Sequence, residues 1–268
     1  MADLIKNCTF DKKNLQQKQS QQFRLLWLGL VTLSAIVFVF RLPIIPQDPH
    51  YHFFAGDQTL WGIANCINVL TNLPFLIAGL LGLWRIHHWE RSSQKLRWQF
   101  FFVAIIAVSF GSAYYHLAPN TMTLFWDRLP MTLGFAALTA NFFSERFPKL
   151  NSWAFFLTLI GISIFGIFYW LYTESLGRGD LRPYLLIQFL PVLLIPLTLL
   201  LFPSRAEIDR AYWILFIGYS LAKMCEMTDF QIYFFTDQAI SGHVLKHLIA
   251  GLSLCFFKPS QTGLASRN

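Results

Sequence analysis

Two histidines four residues apart, His243 and His247 in SGHVLKH, are the sharpest chemical signal in the chain. On a helix they lie ~40° apart around the axis and ~6 Å along it, so both imidazoles reach one ion. His116, in SAYYHLAPNT, is the candidate third ligand. Three histidines with an open fourth position are the pattern of catalytic zinc. No thiolates converge with them, and cations that prefer all-oxygen sites want more carboxylates. Interfacial or simply hydrogen-bonded histidines are the bland alternative.

Ser112 lies one turn before His116 and shares its helix face. Its hydroxyl can support an oxyanion or hold a metal-site water, or bond back to its own helix as membrane serines commonly do. Asp127 can act as a base toward such a water or orient a histidine from behind. It can equally pair with its neighbour Arg128 or sit as a charge near a helix start. Lys223, Glu226 and Asp229 recur every three residues, and a buried Lys223–Glu226 pair is the expected reading. Lys246 is expected to snorkel toward the interface. His87 and His88, beside Trp84 and Trp89, suit an interfacial role.

The elements that must position these groups are membrane helices. Of 268 residues, 55% are hydrophobic and 13% charged, and Phe occurs 28 times. A soluble domain is nearer a quarter charged. Apolar blocks run at about 24–41, 61–84, 98–117, 123–143, 153–172, 183–202, 211–232 and 240–257, each about long enough to cross ~30 Å of hydrocarbon. The expectation is an all-α, polytopic bundle, with seven core helices and an extra N-terminal one. The segments are a polar, partly disordered tail at 1–23, an extra helix and outer loop at 24–60, the core at 61–257 and a tail at 258–268.

The net charge of +7 is explained by loop lysines and arginines rather than by a nucleic-acid partner. Lys6, Lys12, Lys13, Lys18, Arg24, Arg85, Arg91, Lys95, Arg97, Arg146, Lys149, Arg205, Arg210, Lys258 and Arg267 fall on one side of an eight-span topology. The opposite segments hold only Arg41, Arg178 and Arg182. Both termini are therefore expected in the cytoplasm. The same topology brings Ser112, His116, Asp127, Asp229, His243 and His247 to one depth near the outer face. Ionisable groups inside spans mark function by default. Cys8, Cys66, Cys225 and Cys255 form no CxxC pair and read as small apolar residues.

SAYYHLAPNTMTLFWDRLPM, with Ser112, His116 and Asp127 in order, resembles the S-x3-H…D-E-L-P-M segment of alkaline ceramidases. HVLKH resembles their terminal H-x3-H, and NVLTNLPF, from Asn68 through Asn72, their N-x-x-S-N pattern. The resemblance extends over about 61–257. It implies seven core helices, zinc on His116, His243 and His247, Ser112 and Asp127 beside the metal, and hydrolysis of a ceramide-like membrane lipid to a long-chain base and fatty acid. The related alternative is a zinc-containing lipid receptor or sensor without turnover, since the wider superfamily includes adiponectin and progestin receptors. A transporter with a polar relay is the remaining rival. The sequence departs from the pattern in two places. Asn65 stands where eukaryotic members have a calcium-binding Glu, with only Asp48 and Asp57 upstream, which leaves Ca2+ an open question. Arg128 replaces the Glu of D-E-L-P-M.

Overall fold

The computed structural model describes residues 2–261, with side chains at residue 16 and over 18–261. Lys6, Cys8, Lys12 and Lys13 have side chains outside this range, as does the tail beyond residue 261. Among the described residues there is no strand, and ten helices follow one another. They are α1 (Ala2–Arg41), α2 (Cys66–Leu70), α3 (Leu73–Ile86), α4 (Ser93–Leu117), α5 (Thr121–Arg146), α6 (Trp153–Ser175), α7 (Arg182–Leu201), α8 (Ala206–Met227), α9 (Asp229–Phe235) and α10 (Gly242–Phe256). The polar segment expected as a tail continues the α1 helix.

Among the described residues, five stretches are long and apolar enough to span a bilayer: Lys18–Arg41, Cys66–Ile86, Ser93–Leu117, Trp153–Ser175 and Arg182–Leu201. α5 and α8 are as long but more polar, because they hold ionisable side chains inside the bundle. The chain is a multi-pass integral membrane protein. Its seven-helix core has α1 added against α7.

Two expected single helices are each broken. The first divides at Thr71–Asn72, immediately before Leu73-Pro74, where proline fits the first turn but cannot continue a helix through its missing N–H. The second divides at Thr228, so Asp229 opens α9 rather than closing α8. Helix starts follow ordinary capping chemistry. Ser92, Ser152 and Ser241 accept from Lys95, Phe155 and Val244 N–H groups. Asn120 and Thr123 form a reciprocal capping box that ends the LAPN turn and starts α5.

In sequence around the bundle, α3 packs on α4, α4 on α5, α5 on α6 and α7, and α8 on α10, which returns to α3; α7 and α8 touch little. One core layer, around Trp98, Phe101, Phe102, Phe142 and Phe257, lies toward the end that carries the basic loops. There Arg146 pairs with Asp209, and Arg85 donates to the Cys255 and Phe257 carbonyls at 2.7 and 2.9 Å. The other layer, with Phe54, Tyr115, Leu124, Phe125, Trp170 and Tyr184, lies under the segment joining α1 to α2. That segment, residues 42–65, contains a 3-10 turn at Pro49–His52 and a tight turn at Leu60–Ile63 closed by reciprocal backbone hydrogen bonds. Cys66, Cys225 and Cys255 are free thiols.

Candidate metal and lipid site

α4 and α5 cross where Gly111 lies against the Trp126 carbonyl, a place a Cβ would occupy. Pro130 has no N–H to offer that carbonyl from the next turn. The close crossing brings the Ser112 side chain beside Asp127, and both line one cavity. Asp127 Oδ1 is buried with no partner. Asp127 is beyond the first turn of α5 and forms no ion pair with Arg128. The two bland roles open to it from sequence are therefore not what the structure contains.

α10 approaches α8 and α9 as closely, with Gly242 against the Cys225 carbonyl and the Asp229 backbone. Asp229 uses one carboxylate oxygen to accept the His243 N–H at 2.7 Å and the other to accept the Ala55 N–H at 2.9 Å. It thus ties α10 to the segment covering the site, rather than joining Lys223 and Glu226 on one face.

His116, His243 and His247 meet in the interior, 1%, 4% and 3% exposed. One potential ligand atom from each lies within 4.8 Å of the others. Nε2 of His243 is 3.2 Å from Nε2 of His116. Two nitrogens bound at the usual Zn–N length in a tetrahedron would be roughly 3.3 Å apart, so this pair fits a shared ion. The Thr71 hydroxyl can donate to the Ile67 or Asn68 carbonyl and lies 3.1 Å from Nδ1 of His247. A hydroxyl donating to a carbonyl can only accept from Nδ1–H, which leaves the Nε2 lone pair of His247 free. Three neutral imidazoles with no thiolate among them suit zinc better than calcium or magnesium. Nδ1 of His116 has no partner, and its ring is held by packing against Tyr115 and Phe54.

Phe54 roofs the cluster, its ring centroid 4.8 Å from those of both His116 and His243. Nothing in the aperiodic 42–60 segment signals that role. His52 beside it bonds to the Tyr115 hydroxyl at 3.0 Å, and burial lowers its pKa. Hydrogen bonds from His50, backbone then side chain, hold the exposed Asp48 carboxyl below its ordinary range. Asn65 donates to the His116 carbonyl at 2.9 Å.

Beneath the roof a cavity of about 420 Å³ runs inward between α5, α7, α8 and α10. Ser112, Asp127 and His247 line its polar end, and residues such as Leu138, Val192 and Leu254 its apolar remainder. Small-molecule sites are typically ~300–1,000 Å³. Glu226 forms the expected pair with Lys223, but Lys246 does not snorkel: it reaches Glu226 at 3.1 Å, and the Tyr51 hydroxyl donates to the same carboxylate at 3.0 Å. His87 and His88 stay at the opposite end, with Nδ1 of His87 2.6 Å from the Trp84 carbonyl.

No curated protein matches the chain. The family model described as Ceramidase matches residues 58–232, which takes in Ser112, His116 and Asp127 and stops short of His243 and His247. With more than half its length matched, this membrane chain belongs to the ceramidase family.

Proposed function

We propose that the protein is a zinc-dependent hydrolase of the amide bond in ceramide-like lipids, with His116, His243 and His247 as metal ligands. The observation that carries this is the meeting of three buried imidazoles with a Ser112–Asp127 pair at the polar end of an apolar chamber. Zinc held there would supply a Lewis acid able to polarise a carbonyl and bring the pKa of a water to ~7.

The chain's own groups do the rest. Apolar walls of the chamber take the acyl chain and leave the amide at the polar end. Asp127 Oδ1, buried without a hydrogen bond, accepts a proton from the attacking water as its oxygen bonds to the carbonyl carbon. Ser112, beside Asp127 at the polar end of the chamber, turns its single O–H to the carbonyl oxygen as charge develops there. Asp127 then returns the proton to the nitrogen as the C–N bond breaks. The products are a long-chain base and a fatty acid.

Turnover is the distinction from a sensor built on the same bundle. Metal analysis of the purified protein should give about one zinc per chain, and long-chain ceramide should be hydrolysed. Undiminished zinc in His116→Ala would end the three-ligand assignment; bound zinc without amide turnover would favour the sensor. The charge-derived topology further places both termini in the cytoplasm and the site toward the opposite face. A C-terminal reporter active only on the far side of the membrane would reverse that orientation.

A further inference from the structure

Arg128 is the strongly charged group that the proposed hydrolysis leaves unused. It is buried, 5% exposed, and its Nε and Nη1 have no hydrogen-bond partner. Among the described residues no carboxylate lies within ion-pair distance of it. Three rings surround the guanidinium instead, with centroids 4.6 Å (Trp170), 4.7 Å (Tyr184) and 5.3 Å (Tyr51) from Cζ.

Rings stabilise a cation through their faces, but they accept no in-plane hydrogen bond from its edge. A buried, unpaired charge costs several kcal/mol, so bare N–H groups here call for an acceptor. Of the neighbouring carboxylates, Glu226 is shared by Lys223, Lys246 and Tyr51, and Asp127, though adjacent in sequence, lies beyond ion-pair distance. Arg128 lines the same cavity as Ser112, Asp127 and His247, beside the place where an amide would sit. Arg128, Lys223 and Lys246 line that chamber with the interior carboxylates Asp127 and Glu226 and, at its exposed end, Asp48.

We propose that Arg128 is a subsite for an anionic oxygen on a long-chain amphiphile. This rests on the hydrolase reading and narrows its ligand class. The anion is either the carboxylate of the released fatty acid or an acidic head group borne by the substrate beside its amide. A planar guanidinium with two unpartnered nitrogens suits such an oxygen pair better than it suits the hydroxyls of neutral ceramide.

The test is binding, measured by equilibrium dialysis on the full chain in neutral detergent, so that it needs no turnover. Palmitate is compared with hexadecanol, and N-palmitoylglycine with N-palmitoylethanolamine, in wild type and in Arg128→Gln. Wild type should favour the anionic member of a pair, and the substitution should remove roughly 10- to 100-fold of that preference, the range for a charged hydrogen bond. Arg128→Met, which removes the charge while filling its volume, serves if the Gln variant fails to fold. Loss confined to palmitate identifies the product carboxylate, and loss confined to N-palmitoylglycine identifies the head group. No anionic preference in wild type, or an unchanged preference in the folded variant, overturns the proposal. Anion-selective binding without hydrolysis of any amide would keep the subsite and reject the hydrolase.

Discussion

The Thr71 hydroxyl lies 3.1 Å from Nδ1 of His247, on the chain break between α2 and α3. It therefore orients the ring from behind, on the side away from the ion that the proposed site would hold. Thr71→Val keeps the shape and deletes the acceptor. Zinc affinity should fall about 10- to 100-fold, with activity restored by added metal. Titration with a competing chelator measures the first effect; unchanged affinity would leave Thr71 a helix-end residue only.

Asp127→Asn should retain zinc while amide hydrolysis falls by about 10²–10⁴-fold, the scale of general base catalysis. Asparagine preserves the shape and the contact with Ser112 but cannot take a proton at neutral pH. Weakened zinc binding rescued by excess metal would instead make Asp127 an orienting group. Near-normal turnover would remove it from the chemistry.

Gly111→Leu tests whether the α4–α5 crossing sets the site. A side chain there must push against the Trp126 carbonyl, separating Ser112 from Asp127. The expected cost is ~1–3 kcal/mol of stability, the usual scale of overpacking. Turnover of the folded fraction should also fall. Thermal unfolding alongside specific activity distinguishes a displaced site from simple loss of protein.

Asp180, in the α6–α7 connection, offers a pH test away from the site. Burial alone would raise its pKa, but hydrogen bonds from Arg182 outweigh that and hold it below the ordinary 3.8. A carboxyl lowered on folding contributes stability above its unfolded pKa and loses it as pH falls through the lower folded value. Wild type should therefore lose Tm as pH drops below about 4, and Asp180→Asn should start lower and lose less over that window. Parallel slopes would show that the Asp180–Arg182 pair contributes nothing there.

The bundle and most of its polar end were legible because apolar block length and loop charge are strong signals in a membrane chain. His243 and His247 were legible from helical spacing, and Ser112, His116 and Asp127 from the depth that topology assigned them. The break at Thr71–Asn72 had a signal in Pro74 but was hidden inside a continuous apolar block. Lys246 was misplaced because snorkelling assumes no partner, and Glu226 lies twenty residues away in sequence. Phe54 was invisible, since a roof made by an aperiodic segment depends on tertiary docking alone. Adjacency left a pair open at Asp127–Arg128, but successive residues on a helix diverge, so one turns toward Ser112 and the other to Trp170 and Tyr184.

Phe54, seated over His116 and His243, covers the histidine cluster, while the chamber beneath reaches the exposed Pro46 and Asp48 at its outer end. On its side, α7 and α8 barely touch, and the cavity residues Phe189, Val192 and Phe216 on those helices are partly exposed. A substrate admitted sideways meets the protein in two dimensions. Its effective concentration is then its mole fraction in the bilayer, so an inert diluent lipid slows turnover even when the amount of substrate per volume is held constant.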